Sequence, residues 1–310
     1  MKYFYSALIV FFLLLVVENS QAQDLDPRAY ARVPVDITLL VTGFGYSHGG
    51  VLTDPAIPLK DLEAKLESPS IGVGRTFGLF GKTAQVNAAL PYAWAQLSGV
   101  VGGIPQSINR SGFSDMRLRF SLLLLGAPAA SPGELAKAER RTILGTSLTI
   151  ITPTGQYLPE KLINLGTSRW SFKPEIALSQ PVGRRWLIDV YSGLWFFTKN
   201  DSFYPGNSIR TQKPMGSFQA HISYNIQTRM WIAFDMTYYS GGRSSVDGSE
   251  SNDRQSNSRI GGTMVLPVGK VHSVKIAYST GAIIRFGADF TTFSVGWQTS
   301  FFRKPKKTES

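Results

Sequence analysis

The 310-residue chain contains no cysteine. That removes disulfides, thiolate metal sites, cysteine nucleophiles and a cysteine-linked lipid anchor together. It also suits passage through an oxidising compartment, where stray thiols are a hazard. Histidine is nearly absent: His48, His221 and His272 are isolated from one another, so no metal-ligand spacing exists and no cofactor is expected. Beyond the N-terminus the chain lacks the apolar run of ~20 residues that a membrane helix needs. Charge is sparse too, at 17% of residues against 43% hydrophobic. The pairs Gly49-Gly50, Gly241-Gly242 and Gly261-Gly262 precede neither a helical pattern nor Gly-Lys-Ser/Thr, which excludes a phosphate loop. The net charge of +11 comes with no nucleic-acid module, so nucleic acid is not an expected partner.

What is present begins with Lys2, an apolar stretch from Ser6 to Val17, and Ser20-Gln21-Ala22, whose small residues fit a cleavage site. This pattern predicts a signal peptide over 1–22 and a mature chain starting near Gln23. Residues 23–34 are expected to form a periplasmic segment or to fold inward as a plug.

The remainder alternates in steps of two. Met116, Leu118, Phe120 and Leu122 oppose Asp115, Arg117, Arg119 and Ser121. Trp170, Phe172, Ile176 and Leu178 oppose Ser171, Lys173, Glu175 and Ser179. Phe218, Ala220, Ile222 and Tyr224 likewise oppose Gln219, His221, Ser223 and Asn225. One clean apolar face at period two is strand geometry. Twelve such strands are expected between 35 and 302, with an uncertain parity around Pro69. Short links near 78–82, 181–185, 227–229 and 268–272 alternate with longer polar loops near 48–61, 97–111, 155–168, 199–213 and 241–256. The exception, 126–140, has the composition of a helical turn. Alternating link lengths, an even strand number and aromatics at strand ends (Tyr92, Trp94, Trp170, Trp186, Tyr238, Tyr239, Trp297) predict an all-β, antiparallel, up-and-down transmembrane barrel in a bacterial outer membrane. Gly296 and Phe301 suit a C-terminal signal for barrel-assembly machinery, although Thr299 stands where a second aromatic is usual. The basic tail 303–310 would then lie in the periplasm, and the remaining excess charge suits lipopolysaccharide phosphates or anionic solutes.

On this parity the polar face lines a lumen with Asp115, Arg117, Arg119, Lys173, Glu175, Asp189, His221, Asp235, Arg259 and Lys275. Tyr191, Trp195 and Phe197 join them and would offer aromatic solutes a stacking surface, unless a slip at Gly193 turns them to lipid. Arg117 and Arg119 point the same way and cannot both be neutralised by Asp115 alone. They are expected to form a positive constriction, or else a structural ladder with Glu175 and Asp189.

Several strings are shared with a known family: DLDPRAY (24–30), SGFSDMRLRF (111–120), LLGAP (124–128), PTGQY (153–157), KLINLGTSRW (161–170), FKPE (172–175), GSFQAH (216–221) and QSNSR (255–259). Through these the chain resembles the bacterial outer-membrane transporter family of the meta-pathway of phenol degradation. The resemblance implies a barrel and a channel or transport role, and brings no catalytic residues with it.

Other chemistries weigh less. His221, Ser223 and Asn225 suggest a barrel hydrolase, but side chains at i and i+2 run parallel ~6.5–7 Å apart, a poor geometry for proton transfer between base and nucleophile. Asp247, Glu250 and Asp253 could hold Ca²⁺, though a solvated loop explains them as well. The expectation is a non-enzymatic channel for small aromatic or anionic solutes, and the rival from another class is a non-conducting barrel with a structural or adhesive role.

Overall fold

The computed structural model describes residues 25–52, 59–101 and 104–302. Seventeen strands occur among them. They are β1 (Ile37–Leu52), β2 (Leu59–Leu79), β3 (Lys82–Val101), β4 (Ile104–Phe113), β5 (Arg117–Leu125), β6 (Ile143–Ile151), β7 (Ser171–Val182), β8 (Trp186–Phe197) and β9 (Asn200–Phe203). There follow β10 (Ser208–Gln212), β11 (Met215–Gln227), β12 (Met230–Gly241), β13 (Ser244–Val246), β14 (Ser249–Glu250), β15 (Gln255–Val268), β16 (His272–Ile283) and β17 (Gly287–Phe302). Twelve of these (β1, β2, β3, β5, β6, β7, β8, β11, β12, β15, β16 and β17) pair antiparallel with their neighbours in turn. The ring closes where β1 meets β17, in register from Ile37 opposite Phe302 to Leu52 opposite Gly287. Closure leaves no edge strand in the wall, which is what a lipid-embedded sheet requires.

The wall is inverted relative to a soluble protein. Phe234 and Ile176 are 56% and 52% exposed on the outside, while Asp189 and Asp235 are fully buried inside. An apolar belt around a polar interior has no stable arrangement in water and an obvious one in a bilayer. The expected parity holds through both doubtful places. Pro69 sits in register opposite Phe44, and the only irregularity in the β2–β3 pairing falls near Lys60. Gly193 stays in register opposite Ser217. Its missing side chain has a reason: a Cβ there would stand 3.0 Å from the Pro174 carbonyl and 3.2 Å from the Lys173 Cγ.

One end of the barrel carries tight connections. Phe80 and Gly81 link β2 to β3 with φ of 52° and 72°, a left-handed pair whose twist suits a two-residue hairpin. The long exception at this end holds helix α1 (Pro132–Lys137), started by a capping box between Ser131 and Glu134. The opposite end carries structure that hydrophobic alternation did not predict. β4 extends the β3 side of the barrel over Tyr92–Val101, and β9, β10, β13 and β14 form a separate four-stranded sheet. Of the loop expected over 48–61, residues 48–52 and 59–61 are strand, because β1 and β2 continue past the apolar belt, where His48 pairs with Lys65. The two ends are called the turn end and the loop end below.

Among the described residues no helix is long and apolar enough to cross a membrane. The expected signal peptide and the basic tail lie outside the described residues.

Candidate functional site

The interior is built from in-register rows. Across β7, β8, β11, β12 and β15 run Ser179, Asp189, His221, Asp235 and Thr263. Ser179 donates its hydroxyl to Asp189, His221 Nδ1 lies 2.8 Å from Asp235, and Thr263 donates to the other Asp235 oxygen at 2.7 Å. Period two places all five inward; register sets the first four side by side, and Thr263 lies diagonal to Asp235, whose direct partner is Gly261. His221 is 1% exposed and packs against the Tyr191 ring at 5.1 Å, which leaves no room for a substrate.

Residues 25–34 enter the barrel from the turn end. The segment is anchored by Val35 donating to the Ala130 carbonyl and Asp36 to the Thr76 carbonyl. Its side chains then complete the lumen's charge pattern. The Tyr30 hydroxyl lies 2.7 Å from Ser147 Oγ and donates to Glu175 at 2.9 Å, while the Arg119 guanidinium sits 4.7 Å above its ring. Burial pushes the Tyr30 phenol up to about 12, so it stays a donor at any physiological pH. Gly145 makes the notch that accepts this ring: a Cβ there would come within 2.5 Å of Tyr30 Cδ1.

Asp26 lies 3.0 Å from Lys275 and 3.7 Å from Arg119. Burial would raise its pKa, but the fields of Lys275 and Arg119 prevail and hold it at about 2. Arg28 donates to Asn225 at 2.8 Å and stacks 4.4 Å over Trp231. Beneath the segment, Lys173 and Glu175 form a 2.8 Å ion pair that is almost fully buried, with Arg119 3.6 Å from the same carboxylate.

Above this filled region the loop end holds a cavity of about 240 Å³. Trp195 and Phe197, stacked at 10° with centroids 6.4 Å apart, form part of its wall, together with Tyr239 and Phe286. Two arginines also line it and no carboxylate does among the described residues. Arg169 comes from the β6–β7 loop, stacks 4.5 Å over Phe197 and donates to Gln212. Burial and the like charge of Arg210 lower its pKa to about 10, which leaves it protonated at neutral pH. Arg259, from β15, is 2% exposed and donates to Ser279 and to the Phe290 carbonyl.

The predicted lining residues therefore separate into groups. Lys173, Glu175, Arg119 and Lys275 meet at the N-terminal segment, and the field of Arg117 also reaches Asp26. Arg119 is thus met by Asp26 and Glu175, and Arg117 acts on Asp26 through its field. Asp115 braces a loop instead, accepting from Gly155 N (2.8 Å), Thr167 N (2.9 Å) and Thr167 Oγ1 (2.6 Å). Asp189, His221 and Asp235 form the buried row, Tyr191 covers it, and Trp195 and Arg259 reach the cavity. Tyr239 turns inward, away from the outer aromatics, because its neighbour Tyr238 takes the outer face. The acidic trio is absorbed by the loop sheet. Asp247 accepts from Ile209 N, Glu250 pairs with Lys213 and Arg243, and Asp253 accepts from Ser244.

Arg169 had no period to reveal it, since it lies in a loop. Asp26, Arg28 and Tyr30 lie in the segment expected to be periplasmic or to fold inward as a plug, and in the shared string DLDPRAY, but nothing in the sequence assigned them partners.

The fold is shared with solved membrane barrels. An outer membrane channel from Pseudomonas putida F1 superposes with a TM-score of 0.76 at 20% identity, over 90% of this chain and all of that one. The transport unit of the autotransporter AIDA-I from Escherichia coli gives 0.51 at 11% identity, over 93% and 94% of the two chains. The beta domain of a Bordetella autotransporter gives 0.52 at 12%, over 86% and 100%. No curated protein matches the chain in sequence. The family model described as "Putative MetA-pathway of phenol degradation" matches residues 54–282, most of the barrel, and the chain belongs to that family.

Proposed function

We propose that the protein is a passive channel for small solutes in a bacterial outer membrane, reached through a cleaved signal peptide over residues 1–22. The observation that carries this reading is the inverted wall around a polar lumen that ends in a cavity at the loop end. The N-terminal segment is the channel's internal constriction, held by side-chain contacts that can open without unfolding the wall. Small aromatic or anionic solutes suit the cavity's rings and guanidiniums. Lipopolysaccharide around the loop end and barrel-assembly machinery reading the β17 terminus are the partners this placement calls for. A catalytic role gains no support, because His221 is sealed within the row of side chains that binds it.

The test is electrical. Purified protein in planar bilayers is expected to give discrete conductance steps in KCl, and proteoliposomes to take up small aromatic acids faster than disaccharides. The folded barrel should also migrate differently on a denaturing gel before and after boiling. A heat-modifiable barrel with no conductance and no uptake would point to the structural or adhesive reading instead.

A further inference from the structure

We infer that the loop-end cavity is a binding site for a single-ring aromatic carboxylate, with Arg169 and Arg259 holding the carboxylate and Trp195 and Phe197 the ring. The inference deepens the channel reading and rests on it, since the ligand is treated as a solute on its way through.

Hydrogen-bond bookkeeping is the first ground. Arg259 is 2% exposed, yet its Nε and Nη1 meet no acceptor among the described residues, and neither does Nη1 of Arg169. A guanidinium is a donor only, in a rigid fork that matches the two oxygens of a carboxylate. Buried donors of this kind are costly unless an acceptor arrives. The carboxylates whose fields reach these two arginines, Asp115 and Asp289, stand outside the cavity's lining, and neither accepts from the three unmatched nitrogens.

Shape and chemistry of the walls are the second ground. Phe197 carries Arg169 at 4.5 Å and Trp195 carries the Lys173 ammonium at 5.3 Å, and the two rings stand nearly parallel in the wall. Rings and cations lining one cavity select a molecule that has both a π-face and a negative charge. About 240 Å³ is near the lower end of small-molecule sites, which favours one ring over two. A neutral phenol would leave the orphan donors poorly matched, and a small inorganic anion would leave the aromatic wall unused.

The experiment uses the full-length protein folded in detergent, with benzoate as the probe and benzyl alcohol and acetate as its two halves. Calorimetric titration is expected to show one saturable benzoate site at least tenfold tighter than either control. Arg169→Gln and Arg259→Gln should each weaken benzoate at least fivefold and leave benzyl alcohol unchanged. Should Arg259→Gln fail the heat-modifiability check, Arg169→Gln, which lies in a loop outside the wall, still decides. Equal binding of the three probes, or wild-type benzoate affinity in the folded arginine variants, would overturn the assignment. KCl conductance measured on the same preparations separates the two claims: benzoate binding without conductance supports the site and breaks the channel reading.

Discussion

The two halves of the lumen use the same side chains for opposite ends. Toward the turn end, Arg28, Arg119, Lys173 and Lys275 lie among Asp26, Glu175 and Asp189, and the N-terminal segment fills the space between them. Toward the loop end, Arg169 and Arg259 line open space, and the carboxylates whose fields reach them, Asp115 and Asp289, stand outside its lining. The strands supply part of the difference, since Glu175 and Asp189 face the turn-end half and Trp195 and Tyr239 the loop-end half. The rest comes from one short segment that brings Asp26 and Tyr30 into one half and stops below the other. A barrel of twelve strands is wider than the eight-stranded kind that its own side chains fill, so something else must occupy part of it.

The comparison can be broken most severely at Glu175, which serves Lys173, Arg119 and Tyr30 together. Glu175→Ala would remove the ion-pair partner of buried Lys173 and leave Arg119 facing Asp26, a loss of about 3–5 kcal/mol. The temperature at which the folded band disappears on a denaturing gel should fall clearly. Arg169→Gln in the loop half should leave that temperature close to wild type. Equal shifts for the two variants would erase the distinction between a coupled half and an open one.

A smaller effect is expected at Gly145. Gly145→Ala puts a methyl group where the Tyr30 ring lies, an overpacking of about 1–3 kcal/mol. The ring can leave while the barrel stays closed, so the expected result is a higher frequency of channel opening with unchanged gel behaviour. Lost folding, with no change in gating, would mean that the notch serves the wall alone.

Asp26→Asn tests the half-exposed end of the same segment. Removing one partly solvated ion pair costs about 1 kcal/mol or less, at most a fivefold rise in the open population. The smallest effect concerns pH. Because the Asp26 pKa is depressed to about 2 from 3.8, its contribution to docking is complete above about 4 and is lost only as pH falls through about 2. Opening frequency should therefore be flat between pH 5 and 8 as far as Asp26 is concerned. A steep change across that window in wild type that vanishes in Asp26→Asn would show the sign to be wrong.

The wall was legible in the sequence because each strand has one clean apolar face. Knowing that Phe172 and Ile176 face lipid fixes Lys173 and Glu175 inside, and register does the rest. The lumen's contents were less legible. Parity places Arg117 and Arg119 inward but says nothing of a partner 91 or more positions earlier in the chain. Asp115 followed the same alternation as Arg117, yet it sits just before β5, where the chain has left the barrel geometry and a loop takes its carboxylate. The loop sheet escaped notice because β9, β10, β13 and β14 are short and polar, without the alternation that marks a half-buried strand.

The central claim, that residues 25–34 set the conductance of an otherwise open barrel, is tested most directly by single-channel recording on a chain lacking those ten residues. The account predicts a heat-modifiable barrel whose conductance in KCl is severalfold above that of the full-length protein. Equal conductance in the two folded proteins would contradict it and place the constriction elsewhere in the lumen.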